Sequence, residues 1–95
     1  MHPLYKIHSV DVLLPYSLRV RFDDQTEQVV DLSDVLYGEL YGPLRDIQLF
    51  TQVRVDPEVH TVVWPNGADF DPAVLHDWPQ SRPLLIERVK TWRST

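Results

Sequence analysis

Ninety-five residues, 43% of them apolar and 24% charged, have ordinary globular composition and enough chain for one core but not two. The absence of cysteine removes disulfides, thiolate catalysis and the usual structural zinc sites together. A formal charge of −5 disfavours nucleic acid as a partner of the body of the chain.

The charge is unevenly placed. Residues 1–81 hold five Lys/Arg against thirteen Asp/Glu, a net of −8, while residues 82–95 hold Arg82, Arg88, Lys90 and Arg93 against Glu87, a net of +3. Nucleic acid would be welcome only at that short basic tail. The start of the chain lacks the basic-then-apolar pattern of a signal peptide, and no run approaches the roughly 20 apolar residues that span a bilayer. The expectation is a soluble, cytoplasmic protein with no membrane partner.

In chain order, residues 5–14 read as a strand whose second half is covered on both faces. Pro15-Tyr16-Ser17 ends it. Leu18, Val20 and Phe22 alternate with Arg19 and Arg21, and after a turn at residues 23–26 the chain returns with Val30 and Leu32 in phase. That is a β-hairpin with the apolar set inward and the arginines outward, beside Glu27 and Asp31.

Ser33 is a plausible N-cap for a short helix over residues 34–37, which Gly38 would terminate. Gly42-Pro43 opens a second helix carrying Leu44, Ile47 and Phe50 on a narrow stripe. Residues 52–55 and 61–64 form a second hairpin, Pro65-Asn66-Gly67 is a turn, and Asp71-Pro72 starts a helix. Residues 78–83, with Pro79 and Pro83, read as a linker. Leu85, Val89 and Trp92 follow i, i+4, i+7 spacing, so residues 84–93 read as an amphipathic helix. The expected core is Val20, Phe22, Val30, Leu32, Phe50, Val55, Val62 and Trp64.

The fold class is therefore α+β: a small, mostly antiparallel sheet from two β-hairpins plus an N-terminal strand, with short helices and a C-terminal helix. Residues 1–78 form the compact domain. Residues 79–95 are linker and helix, packed on the same domain or docked on a partner.

Four stretches resemble the domain-of-unknown-function 2442 family of small bacterial proteins. They are Val30-Asp31-Leu32-Ser33, Pro43-Leu44-Arg45-Asp46, Val53-Arg54-Val55-Asp56-Pro57-Glu58, and the run from Val63-Trp64-Pro65-Asn66-Gly67 through Ala68-Asp69-Phe70-Asp71-Pro72. The resemblance covers residues 5–75 and implies a compact α+β domain with no established activity. Some relatives carry an appended helix-turn-helix, and some are encoded beside a second small protein as toxin–antitoxin pairs are. The residues after 76 do not match the helix-turn-helix. The chain departs from the family pattern at Gln25, where Asp-Gly is common, and at His60, where glycine is usual.

The best candidate for a binding loop is Trp64, Asn66, Gly67, Asp69 and Asp71, two carboxylates and an amide on a turn, although turn and capping chemistry account for each residue unaided. The second candidate is an interface of Leu85, Val89 and Trp92. His8, His60 and His76 with Asp69 offer metal-ligand chemistry, but only His2 and His8 have a zinc-like spacing, and surface histidines are the simpler reading. No serine sits in a nucleophile elbow and the three glycines are scattered, so no catalytic residue, metal or cofactor is expected. The function expected is a non-enzymatic protein-interaction module, antitoxin-like within a two-gene pair, that binds a protein partner or forms a homodimer. The alternative is a small-ligand or metal-dependent enzyme using the 66–71 loop.

Overall fold

The computed structural model describes residues 5–93, with side chains as far as Lys90. Strands β1 (Ile7–Leu13), β2 (Ser17–Phe22) and β3 (Glu27–Asp31) make an antiparallel sheet in the order β1-β2-β3. Register places Val12, Leu18 and Val30 in one cross-strand row and Val10, Val20 and Gln28 in the next, all on the inner face. The outer face carries Asp11, Arg19 and Val29, then Ser9, Arg21 and Glu27. Glu27 lies 3.5 Å from Arg19 and 3.2 Å from Arg21, an exposed cluster of the kind worth a few tenths of a kcal/mol. Asp31 instead accepts the Ser33 N–H at 3.0 Å. The double covering expected for the end of β1 is not there: Val12 and Leu13 are half-buried and Leu14 is 68% exposed.

Both departures from the family pattern fall at left-handed backbone. Gln25 has φ 74° and His60 has φ 57°, conformations that glycine adopts without steric cost. The Gln25 turn is held by Asp24, whose carboxylate accepts from the Thr26 N–H at 3.0 Å and the Thr26 hydroxyl at 2.5 Å. The His60 turn is held by Asp56 in the same way, through the Glu58 N–H at 2.7 Å.

The helix expected over residues 34–37 does not form. The Arg45 guanidinium donates to the carbonyls of Ser33 and Leu36, both at 2.8 Å, so these groups are engaged outside any helical ladder. Gly38, at φ 87°, starts α1 (Gly38–Tyr41) instead of ending a helix before it. The helix expected from Gly42 breaks into a 3₁₀ turn (Gly42–Arg45) and α2 (Ile47–Phe50). Asp46 is the break: its backbone is extended and its carboxylate caps α2 through the Gln48 N–H at 2.9 Å. Leu44 and Phe50 are fully buried, but Ile47 is 36% exposed, because the interruption at Asp46 disrupts a single stripe.

The second hairpin is shorter than expected, β4 (Arg54–Val55) against β5 (Val62–Val63). The Ile7 N–H donates to the His60 carbonyl at 2.8 Å and ties this hairpin to the start of β1. Helix α3 (Pro72–His76) begins as expected, with Asp71 accepting the Ala73 N–H at 2.9 Å and Pro72 in the first turn.

Residues 79–83 are not a linker. They lie inside α4 (Trp78–Arg93), which runs unbroken through both prolines. Pro79 sits in the first turn, where its missing N–H costs nothing, and Pro83 is exposed, so water can satisfy the carbonyl one turn back. Trp78 is buried and lies seven residues before Leu85 and eleven before Val89, which extends the same face backwards. Arg82, on that face, pairs with Asp34.

One core joins these parts. The inner sheet residues Leu18, Val20, Phe22, Val30 and Leu32 pack with Leu36, Leu44, Phe50, Val62, Trp64, Leu75, Trp78 and Val89. Of the eight core residues expected, seven are buried and Val55 is half-buried, at the end of its two-residue strand.

Candidate functional site

The 64–71 loop is built by turn chemistry. The Trp64 N–H donates to the Ala68 carbonyl at 2.9 Å, the Gly67 N–H donates to the Trp64 carbonyl at 3.0 Å, and Gly67 takes φ 91°. Asn66 accepts the Ala68 N–H at 3.1 Å and donates its amide to the Leu40 carbonyl at 2.9 Å, which fastens the loop to the end of α1. The buried Trp64 indole donates to the Phe50 carbonyl at 2.9 Å. The Tyr41 hydroxyl donates to the Asp69 carbonyl at 2.8 Å, and the Thr61 hydroxyl donates to that of Phe70. Trp64, Asn66, Gly67 and Asp71 thus each have a structural task.

Asp69 differs. Its carboxylate makes no hydrogen bond or ion pair with a described residue. It borders a groove of about 210 Å³ lined by Tyr41, Phe70 and Val74 on one side and by Leu85, Arg88 and Val89 of α4 on the other. Burial first, and then the Asp69 charge, push the Tyr41 hydroxyl above its ordinary pKa, so it stays a proton donor. A second hollow, about 290 Å³, is lined by Tyr37, Glu39, Leu40 and Tyr41, shares Tyr41 with the first, and leaves Leu40 42% exposed.

The fold therefore brings the two sequence-derived candidates together: Asp69 and Asp71 from the loop meet Leu85 and Val89 from α4 at one groove. Val89 is 2% exposed and Leu85 half-buried against this chain's own core, so most of their apolar surface is already covered in cis. The Trp92 side chain and His2 lie outside the described residues. Among the described residues no three His, Asp or Glu side chains are placed to hold a metal ion, so His8, His60, His76 and Asp69 do not form a metal site. Nor is any helix among them long and apolar enough to cross a membrane. The α1 surface of Tyr37, Leu40 and Tyr41 and the α4 residue Arg88 were not legible as a site. Aromatic residues near Gly38 and Gly42 were the available signal, and they read equally well as core.

The family model for "Protein of unknown function (DUF2442)" matches residues 7–80. The chain belongs to this family. Neither the curated proteins nor the solved structures provided a match. Within the DUF2442 span lie β1 to α3, hence α1, the 64–71 loop and the Val74 wall of the groove; Leu85, Arg88 and Val89 lie past it. The family-like stretches resolve into scaffold chemistry, with Asp31, Arg45, Asp46, Asp56, Asn66 and Asp71 each fastening backbone.

Proposed function

We propose that this DUF2442 chain is a non-enzymatic protein-interaction module that binds a basic, apolar-tipped segment of another protein along α1 and the adjoining groove. The antitoxin-like member of a two-gene pair is the specific form that the family resemblance suggests. The observation that carries the reading is the strip of Tyr37, Leu40, Tyr41, Phe70 and Val74, edged by the carboxylates of Glu39 and Asp69. Tyrosine at a half-covered apolar surface is the residue type that dominates protein–protein hot spots, and a rim of acidic groups on a chain of charge −5 selects a basic partner. Arg88, on the α4 wall, would orient the segment by taking an acidic group. The strip would serve as the anchor of a larger contact, since stable interfaces bury about 1,200 to 2,000 Å² in total.

The test is calorimetric titration of the purified products of the neighbouring genes into the wild type, Leu40→Lys and Asp69→Lys. Binding to the wild type, weakened at least tenfold by both substitutions and diminished by salt, is the expected outcome. Equal affinity for all three proteins would move the partner off this surface. The enzyme alternative draws support from one observation, the unengaged Asp69 carboxylate beside a groove. Micromolar calcium, magnesium or zinc binding abolished by Asp69→Ala would promote it over the interaction module.

A further inference from the structure

At the end of α3, a histidine that the sequence offered only for metal-ligand chemistry joins three parts of the chain. His76, the last residue of α3, places Nε2 2.9 Å from Asp24 Oδ2 in the β2–β3 turn and Nδ1 3.2 Å from Asp77 Oδ1 at the α3–α4 junction. Its ring stacks on Tyr5 with centroids 3.7 Å apart and planes 11° from parallel, and meets the edge of Phe22 at 4.8 Å. The His76 carbonyl accepts the Gln28 side-chain amide of β3 at 3.0 Å. Only 16% of the His76 side chain is exposed.

An ionised carboxylate is acceptor-only, so each ring nitrogen must supply a proton for both bonds to exist. A neutral imidazole carries one N–H and satisfies one partner; the imidazolium satisfies both. We propose that His76 is a pH-sensitive clamp, which as imidazolium ties the β2–β3 turn to α3 and the start of α4, and which lets go of one of them when it yields its proton to solvent.

Asp24 is suited to this pairing. The Thr26 hydroxyl and N–H, with a further contribution from His76, lower its pKa to about 2, so it is a carboxylate at every pH at which the imidazole titrates. The groups facing His76 are then Asp24 from the turn, Asp77 from the α3–α4 junction and the Tyr5 phenol from the N-terminal segment, with uncharged Phe22 from β2 and Gln28 from β3. Burial alone would lower the pKa of the imidazole, but the bonds to Asp77 and Asp24 and their charges outweigh it and hold the ring above its ordinary 6.5. Because the folded-state pKa is raised, the clamp contributes its full stability below pH 6.5 and loses it as pH rises through the folded-state value.

The clamp stands independently of any partner. The experiment follows the His76 ring proton by NMR in the full chain from pH 5 to 9, in the wild type and in Asp24→Asn, with Tm measured over the same range for the wild type and His76→Gln. The expected result is a wild-type midpoint above 6.5 that falls by at least about half a pH unit in Asp24→Asn. The wild-type Tm should decline between pH 6.5 and that midpoint and level off above it, with a shallower decline in His76→Gln. A wild-type midpoint at or below 6.5, or one indifferent to Asp24→Asn, overturns the clamp even if His76→Gln proves unable to fold. Parallel Tm profiles overturn it equally.

Discussion

The Arg45 side chain reaches the carbonyls of Ser33 and Leu36 at 2.8 Å each, and its guanidinium lies 4.3 Å from the centre of the Tyr37 ring. Its own carbonyl accepts the Tyr16 hydroxyl at 2.5 Å. One residue thus fastens the segment after β3, the turn before β2 and the 3₁₀ turn on which it sits. The geometry uses the planar fork of arginine, with Nε and Nη2 serving two acceptors; the ammonium of lysine offers one point of charge. Arg45→Lys is therefore expected to lower stability by about 2 kcal/mol, the worth of a charged hydrogen bond to a partly buried acceptor, and urea denaturation measures it. An unchanged midpoint would mean that water replaces the lost contacts at no cost. In the sequence, Arg45 was visible as part of a family-like stretch, but nothing in its spacing named its acceptors, which lie nine and twelve residues away. Asp71 was legible as a cap because its partner is two residues on.

At the scale of elements, the hairpins were readable and α4 was not. Strict alternation from Leu18 to Phe22 has a single solution on a half-buried sheet, since a one-residue slip would expose the whole apolar set. The segment from Trp78 to Pro83 has two prolines and only one large apolar residue, and local propensity favours a break there. The core overrides that preference: burying Trp78 and Val89 on the same face stabilises the helix by more than the exposed Pro83 costs it. A chain ended at Ser81 distinguishes an integral α4 from a detachable arm. With α4 integral, removal of Leu85 and Val89 opens the core beside Leu75 and Trp78, and the truncated protein is expected to lose cooperative unfolding and to bind hydrophobic dye. A sharp thermal transition close to that of the full chain would mark the helix as dispensable for folding.

Across the whole molecule, two sets of titrating groups act in opposite directions. Asp24, Asp31 and Asp56 are all held below their usual pKa, chiefly by hydrogen bonds from the residues that follow them in their turns. Depressed carboxylate pKa values contribute stability above pH 3.8 to 3.9 and lose it as pH falls through the folded-state values. His76 contributes below 6.5 and loses its share above. The stability of the chain is accordingly expected to peak between about pH 4.5 and pH 6.5. A Tm series from pH 3 to pH 9 shows whether it does; a maximum at pH 8 or higher would contradict the sign for His76, and one at pH 3 the sign for the three aspartates. In that window the net charge also falls towards zero, near the isoelectric point of 5.1, which relieves repulsion within the acidic body.

By itself the sequence determined the α+β class, the inner faces of β2 and β3, the turns at Asp24, Asp56 and Gly67, and the Asp71 cap. Each of these is decided by side-chain period or by a hydrogen bond closed within a few residues, so the information is local. Only the tertiary structure decided that Arg82 meets Asp34, 48 residues apart, and that His76 meets Asp24, 52 residues apart. It also decided that Asp69 and Leu85 border one groove, and that the two prolines of α4 face water. Such partners are chosen by how packed elements come to rest against one another, and neither the spacing nor the composition of the chain encodes that.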